Sequence, residues 1–97
     1  MNPVRNLANI SWCVYILESV KDKSWYTGCT NNLIKRLKEH NEGKVYATKR
    51  KRPFILIYFE VSYNKYDAFA REKYLKSGMG KRYLKNRLKY YYDNKTK

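Results

Sequence analysis

Residues 12–29, WCVYILESVKDKSWYTGC, decide the fold because they are typical of a β-hairpin. Trp12–Glu18 alternates in polarity and is rich in β-branched and aromatic residues, which predicts a strand. Ser19–Lys23 is a polar turn, and Ser24–Cys29 is predicted to be the returning strand. Gly28, near the end of this second strand, indicates a close backbone approach or a bulge.

A helix is predicted directly after the hairpin, over the sequence TNNLIKRLKEHNEG of residues 30–43. Thr30 or Asn31 can cap its start, and Gly43 is expected to end it. The apolar stripe of this helix comprises Leu33, Ile34 and Leu37. The basic segment Lys44–Pro53, KVYATKRKRP, is then predicted to be a loop.

The second half of the chain predicts one further strand and two helices. Phe54–Ser62, FILIYFEVS, is apolar on both faces until Glu60, which is typical of a well-covered strand. Asn64–Lys76 is predicted to be helical. Its buried residues are predicted to be Ala68, Phe69, Tyr74 and Leu75. Ser77–Gly80 is expected to break this helix, and a last helix is predicted from about Lys81 to Tyr92.

The resulting order β-β-α-β-α-α predicts an α+β domain with a small, mainly antiparallel, three-stranded sheet flanked by helices. A chain of 97 residues suits a single domain. We expect a flexible amino-terminal arm over residues 1–11, a folded domain over residues 12–93 and a basic tail over residues 94–97. A chain this short builds one modest core, so a functional site must share residues with the scaffold.

The chain is strongly basic, with 22 lysines and arginines against 8 aspartates and glutamates, a net charge of +14. Nucleic acid is the expected partner, because a polyanion relieves the self-repulsion and each neutralised phosphate releases a counterion. A membrane surface would also attract this charge, but no apolar run approaches the ~20 residues of a spanning helix. Without the apolar stretch of a signal peptide, a cytoplasmic location with reduced cysteines is expected.

Three polar side chains are predicted at the boundary of the core. Arg36 and His40 are four residues apart and share a helix face beside the apolar stripe, where they can meet a phosphate. A solvent-exposed arginine and a capping histidine are the alternative. Glu72 projects on the apolar side of its helix, where an unpaired carboxylate is costly. Either a basic neighbour or a metal ion must satisfy it, and one carboxylate is enough for Mg²⁺.

Two tripeptides place tyrosines on both strands of the predicted hairpin. Val14-Tyr15-Ile16 and Tyr26-Thr27-Gly28 leave ten residues between their tyrosines. This pattern resembles the paired tripeptides that name the GIY-YIG nuclease superfamily. Arg36, His40 and Glu72 continue the resemblance in order and spacing over nearly the whole predicted domain. The chain is similar to small single-domain members that are related to the amino-terminal nuclease domain of the excision-repair endonuclease.

The resemblance implies a role for each of these side chains. Tyr15 and Tyr26 would line the cleft, one of them acting as, or orienting, the general base for the attacking water. Arg36 would bind the scissile phosphate, and His40 would relay a proton or contact the phosphate. Glu72 would hold one Mg²⁺ or Mn²⁺ ion. Because a tyrosine with a pKa near 10 is a poor base at neutral pH, nearby cations would have to lower that pKa.

Four positions differ from the family pattern or match it only partly. Val14 stands where the family name has glycine and Thr27 where it has isoleucine, and both changes are mild. Many members carry a lysine directly after the second tripeptide, where this chain has Cys29, so a cation that would tune a tyrosine is missing. The family also uses an asparagine after the metal-binding glutamate, and Asn86 is the nearest match. Asn86 projects away from the apolar stripe of the predicted last helix.

The sequence therefore predicts a metal-dependent DNA endonuclease of low sequence specificity, selective for DNA structure or recruited by a protein partner, in repair or recombination. The alternatives are a catalytically weak nucleic-acid-binding module on the same fold and an RNA- or ribosome-associated protein. Phosphate contacts position a nucleic acid without reading its sequence. The basic residues expected to make them are Lys35, Lys49, Arg50, Lys51, Arg52, Arg82 and Lys85.

Overall fold

The described part of the chain comprises residues 12–96 of a computed structural model, with side chains described to residue 93. Its strands form one antiparallel sheet in the order β2-β1-β3. They are β1 (Trp12–Ser19), β2 (Trp25–Thr30) and β3 (Phe54–Ser62). The predicted α+β class and antiparallel three-stranded sheet are confirmed. The flexible arm predicted over residues 1–11 lies outside the described residues.

β1 is the central strand, and its alternating side chains are buried on both faces of the sheet. Tyr15 and Leu17 lie on one face, in a cluster with Phe54. The other face carries an apolar core that comprises Val14, Ile16, Ala68, Leu75 and Leu84. Since a strand directs successive side chains to opposite faces, neighbouring residues of β1 enter two different environments.

The first helix, α1 (Leu33–Asn41), covers the face that carries Tyr15. Its cap is Asn32, whose side chain accepts a hydrogen bond from an amide of the first turn at 3.1 Å. The predicted caps, Thr30 and Asn31, are wrong because β2 continues through Thr30. The predicted end at Gly43 is confirmed: its φ of 79° is a left-handed conformation that glycine adopts without strain.

Three helices follow β3, where two were predicted. They are α2 (Lys65–Lys76), α3 (Gly78–Arg87) and α4 (Lys89–Thr96). Ser77 alone separates α2 from α3, because its hydroxyl caps α3 by accepting a hydrogen bond from the Gly80 amide at 3.1 Å. The single predicted last helix is divided at Leu88, the cap of α3. α4 continues into the range predicted to be a basic tail.

Several apolar side chains predicted to be buried are exposed, namely Ile34, Ile55, Phe59, Phe69 and Tyr74. Phe59 is 50% exposed because β3 is an edge strand, so the prediction of a well-covered strand is wrong. Ile34 is 85% exposed and lies outside the face of α1 that meets the sheet. Hydrophobic periodicity assigns a side chain to a face, but the width of the covering layer decides its burial.

No helix between residues 12 and 96 is long and apolar enough to cross a membrane. The two cysteines, Cys13 and Cys29, are free thiols. The cytoplasmic location stays a prediction.

Candidate active site

Tyr15 lies at the centre of the site because of the residue opposite it on the neighbouring strand. β1 and β2 pair Tyr15 with Gly28, and the phenol ring lies directly over the glycine. A Cβ atom at position 28 would overlap the ring and hydroxyl of Tyr15. The close approach predicted at Gly28 is therefore confirmed. Because Gly28 has no side chain, the Tyr15 phenol can lie across β2.

The second hairpin tyrosine and the histidine of α1 surround this phenol. The ring centroids of Tyr26 and His40 are 5.1 Å apart, and those of Tyr15 and Tyr26 are 6.4 Å apart. Phe54 closes the cluster, with its ring centroid 6.1 Å from that of His40. Three residues selected from the sequence thus converge on one cluster formed by β1, β2 and α1.

A chain of buried hydrogen bonds runs from Tyr15 into the loop after α1. The Tyr15 hydroxyl lies 2.9 Å from Nε2 of His40, and Nδ1 of His40 lies 2.7 Å from Oγ1 of Thr48. The Thr48 hydroxyl donates to the carbonyl of Val45 at 3.5 Å. Each buried O–H and N–H group has an acceptor only if all three hydrogen bonds point the same way. Tyr15 then donates to His40, His40 donates to Thr48, and Thr48 donates to the Val45 carbonyl. In this arrangement His40 carries its proton on Nδ1, and Nε2 accepts from Tyr15.

Burial keeps both groups of the Tyr15–His40 pair neutral at neutral pH. It raises the pKa of Tyr15 to about 12, although the Arg36 guanidinium beside the hydroxyl acts in the opposite direction. Burial, assisted by the charge of Arg36, lowers the pKa of His40 to about 4. Arg36 therefore acts on the pKa of Tyr15 in the expected direction, but desolvation of the phenolate outweighs this one arginine, and the pKa of Tyr15 stays high.

Arg36 connects this buried pair with an open cavity of about 390 Å³. Its side chain is 38% exposed, and Nη1 donates to Oε1 of Glu39 at 3.2 Å. The cavity is lined by Trp12, Cys29, Thr30, Asn31, Asn32, Lys35, Arg36 and Glu39. Lys35 and Arg36 thus place two positive charges at an opening of suitable size for a phosphate and its sugar.

Glu72 of α2 lies close enough to this region to act on its electrostatics. Its carboxylate contributes to the raised pKa of Tyr15, and also to that of Cys29, which burial mainly raises to about 11. The Glu72 side chain is 22% exposed and pairs with Nζ of Lys76 at 3.0 Å, so a basic neighbour satisfies it. Between residues 12 and 96 no three His, Cys, Asp or Glu side chains group as metal ligands. One carboxylate nevertheless suits Mg²⁺, which keeps several water ligands.

The residues predicted to contact DNA are divided over four places. Lys35 lines the open cavity beside Arg36. In the basic run 49–52, Nζ of Lys51 lies 3.7 Å from the Asp22 carboxylate in the hairpin turn, whereas the Arg52 guanidinium lies over Gly43. Arg82 and Asn86 line a separate cavity of about 460 Å³ with Met79 and Tyr83, and Lys85 lines another cleft beside the hairpin. The structure therefore places Asn86 in a different cavity from Arg36.

Sequence reasoning missed two residues of the site. Thr48 is 2% exposed and orients His40, yet it lies in a segment recognised only as a basic loop. One signal was a small hydroxyl residue within the charged run KVYATKRKRP. Glu39 was not selected from the sequence, but it pairs with Arg36 and lines the cavity. Both contacts depend on side-chain positions that helical spacing alone does not give.

Comparison with known proteins finds similar small chains in several bacteria. The UPF0213 protein CPE1444 of Clostridium perfringens is 52% identical over 64 residues, which cover 65% of this chain and 68% of that protein. The UPF0213 protein YazA of Bacillus subtilis is 49% identical over 57 residues, covering 58% of each chain. The solution NMR structure of the UPF0213 protein BH0048 from Bacillus halodurans is 38% identical, with a TM-score of 0.49, over 76% of this chain and 81% of that one.

The family model described as the GIY-YIG catalytic domain matches residues 11–86. This span contains the hairpin tyrosines, the arginine and histidine of α1 and the glutamate of α2. With most of its length matched and these side chains inside the matched span, the chain belongs to the GIY-YIG catalytic domain family, a family of nucleases.

Proposed function

We propose that this chain is a divalent-metal-dependent endonuclease that hydrolyses phosphodiester bonds in DNA. It selects DNA structure rather than sequence, and acts in repair or recombination. The main support is the convergence of Tyr15, His40 and Arg36 beside an open cavity. The net charge of +14 supports a nucleic-acid substrate. Contacts through phosphates carry no sequence information, which supports low specificity.

Arg36 is proposed to bind the scissile phosphate. Its guanidinium lies beside the Tyr15 hydroxyl and also lines the cavity, so it can hold a phosphate next to the phenol. A guanidinium presents a planar fork of donors that matches two phosphate oxygens. Its pairing with Glu39 is partly exposed to solvent and therefore weak enough to yield to a phosphodiester. The same contact would stabilise the charge that develops on the phosphate oxygens during attack.

Tyr15 and His40 are proposed to move the proton of the attacking water together. The Tyr15 oxygen takes a proton from water while its own proton passes to Nε2 of the neutral His40. The hydroxide then forms the new P–O bond, the P–O bond to the leaving strand breaks, and the leaving oxygen takes a proton from solvent. His40, whose pKa is about 4, then returns its proton to solvent through Tyr15. Because the two transfers are coupled, a free phenolate with a pKa of about 12 does not have to accumulate. Thr48 holds the imidazole in the tautomer that leaves Nε2 free to accept.

Glu72 is proposed to hold the metal ion. The Glu72 carboxylate already pairs with one cation, the ammonium group of Lys76. A metal ion can replace this ammonium group as the partner of the carboxylate. When bound, Mg²⁺ or Mn²⁺ would act as a Lewis acid on the phosphate oxygens. Water and substrate phosphate would complete its coordination, since one protein carboxylate is sufficient for Mg²⁺.

A nucleic-acid-binding module with weak or no catalysis is the second candidate, and Cys29 favours it. Burial keeps the pKa of this thiol at about 11, so at neutral pH position 29 carries no charge. The lysine that many family members have there is absent, and the pKa of Tyr15 stays high. This candidate predicts DNA binding that depends on salt but is indifferent to metal and to Glu72→Ala.

The test is cleavage of end-labelled plain, nicked and branched DNA duplexes by the purified chain with Mg²⁺. We expect Tyr15→Phe and Glu72→Gln each to slow cleavage by at least about 100-fold, since each removes a group that acts in the transition state. Tyr66→Phe and Glu42→Gln are matched controls on exposed side chains, and they should change the rate by about twofold at most.

If the chain cleaves none of the three substrates, the proposal of an endonuclease is rejected. Equal rates for Tyr15→Phe and Tyr66→Phe would reject the proton-transfer role of Tyr15. Binding without cleavage, unchanged by EDTA and by Glu72→Ala, would establish the second candidate instead.

A further inference from the structure

We propose that a second cleft, at the far end of β2 from the candidate active site, binds an unpaired DNA strand of the substrate. The proposal rests on the proposed function, whose substrate it extends. This hairpin cleft has a volume of about 370 Å³. It is lined by Lys23, Ser24, Trp25, Thr27, Lys81, Leu84, Lys85 and Tyr92. Its aromatic rings take a nucleobase, and its lysines take the adjoining phosphates.

Two aromatic rings form the wall of the hairpin cleft. The ring centroids of Trp25 and Tyr92 are 6.3 Å apart, with an interplanar angle of 89°, so each ring keeps a face that the other does not cover. Tyr92 is 44% exposed, and Trp25 is partly exposed. Stacking of a base on an aromatic side chain is sequence-tolerant, because every base has a π-face. The cleft is therefore suited to a single strand, whose bases are free to stack.

The indole of Trp25 is fixed in place before any ligand arrives. Its Nε1 donates to Oε2 of Glu18 at 2.9 Å, and the Tyr91 hydroxyl donates to Oε1 of the same carboxylate at 2.9 Å. Glu18 is 3% exposed, so this double contact is shielded from water and joins α4 to the hairpin. A ring already held in position loses little conformational entropy when a base stacks on it.

Three lysines surround the rings of the hairpin cleft. Lys81 and Lys85 are one turn apart on α3 and share a face, and Lys23 lies in the hairpin turn. Within the described side chains none of the three forms an ion pair, whereas lysines elsewhere, such as Lys51 and Lys76, do. Like charges grouped beside aromatic rings repel one another, and a phosphate backbone reduces that repulsion.

The hairpin cleft is separate from the candidate active site but lies along the same strand. The cleft includes Trp25, and the active-site cavity includes Thr30, at the opposite ends of β2. Five residues of a strand span roughly 16 Å along β2. Trp25 lies on the sheet face that carries Ile16 and the Tyr15 cluster lies on the other face, so a strand that occupies both openings passes round β2, which is an edge strand. A substrate with an unpaired strand near the cleaved bond would occupy both openings.

The test measures binding without metal, so it does not depend on cleavage. In Trp12→Phe, Trp25 is the single tryptophan, and its fluorescence reports stacking in the hairpin cleft. We expect a twelve-nucleotide oligothymidylate to quench this fluorescence in EDTA, and the matched duplex and thymidine monophosphate to quench it much less. Fluorescence anisotropy of a labelled oligonucleotide measures its affinity for the unsubstituted chain. This affinity should equal the one obtained from quenching in Trp12→Phe.

The lysines are tested with Lys81→Gln together with Lys85→Gln. We expect this double variant to bind the oligothymidylate at least about fivefold more weakly, and to lower the slope of log affinity against log salt by about 1.4. Lys65→Gln with Lys73→Gln removes the same net charge from α2 and should leave both quantities nearly unchanged.

Equal losses in the two double variants, or no quenching of Trp25, would overturn the proposal. Equal binding of thymidine monophosphate would also overturn it, in favour of a free-nucleotide site. Quenching by the oligonucleotide in a chain that cleaves no DNA would reject the nuclease and leave the hairpin cleft as a strand-binding site.

Discussion

The two faces of β1 differ in how they use buried side chains. On one face Ile16 lies in a cluster of apolar side chains that includes Ala68 and Leu75 of α2 and Leu84 of α3. The face with Tyr15 holds a directional chain of hydrogen bonds through His40 to Thr48. One strand thus separates residues that stabilise the fold from residues proposed to perform chemistry, although the residues are neighbours in sequence. This is how a 97-residue chain shares its core with its site.

The two faces also differ in what a substitution does to them. Apolar packing is non-directional, so a smaller side chain costs free energy in proportion to the contacts and the cavity left behind. On the polar face every buried side-chain nitrogen and oxygen of the described residues has a hydrogen-bond partner. Removing one partner leaves another group buried and unsatisfied. Substitutions on the two faces should therefore have different effects on stability and on cleavage.

The largest effect on stability is expected for Ile16→Ala on the apolar face. Ile16 is fully buried, and truncation of such a side chain costs about 4 kcal/mol in the free energy of unfolding. Cleavage per folded molecule should stay within about twofold of the unsubstituted chain, because Ile16 belongs to the apolar cluster and not to the cluster of Tyr15. Urea unfolding and cleavage at low temperature measure the two quantities.

Ile16→Val tests the same comparison with a smaller cavity, at a cost of about 1 kcal/mol. The adjacent Tyr15→Phe should do the opposite, with a modest loss of stability and a large loss of cleavage. A loss of cleavage in Ile16→Val that matches the loss in Tyr15→Phe would contradict the separation of the two faces.

The next largest effect is a pH dependence that originates on the polar face. The pKa of His40 is about 4 in the folded chain and 6.5 when unfolded, so between these values the unfolded chain binds more protons. Stability from this group is complete above pH 6.5 and is lost as the pH falls towards 4. Between pH 7 and pH 4.5 the free energy of unfolding should fall by about 2.5 kcal/mol because of this group.

His40 is the only histidine, so its NMR titration can be followed without assignment by mutation. Urea unfolding over the same pH range measures the loss of stability, and His40→Gln should remove most of it. A titration midpoint near 6.5 would contradict the buried, neutral imidazole.

A smaller effect than that of Ile16→Ala or of the pH change is expected for Thr48→Val, which keeps the shape of the side chain and removes the acceptor of the His40 Nδ1 proton. The unsatisfied N–H should cost about 1–2 kcal/mol in the free energy of unfolding. Cleavage should fall severalfold, because the tautomer that accepts from Tyr15 is no longer favoured. Imidazole ¹⁵N chemical shifts report that tautomer directly.

Thr48→Ser is the matched control, since it keeps the hydroxyl and loses only a methyl group. If the serine variant changed the ¹⁵N shifts as much as the valine variant, the hydroxyl would not be what orients His40.

The hairpin shows how much of the fold and site could be predicted from sequence. Its strands, its close approach at Gly28 and the positions of Tyr15 and Tyr26 all follow from local pattern. The cap of α1 and the start of α3 were missed because several polar residues could serve, and only the path of the chain selects Asn32 and Ser77. Burial was overestimated along β3, because a sequence does not state which strand lies at the edge.

The amino-acid sequence by itself determined the α+β class, the positive charge and the order of the residues that carry the family resemblance. Only the tertiary structure decided that Thr48 orients His40, that burial raises the pKa of Tyr15, and that a second cleft forms beside Trp25. The reason is physical: periodicity and spacing describe neighbours along the chain. Desolvation, hydrogen-bond direction and cavities arise from segments that are distant in sequence and meet only when the chain folds.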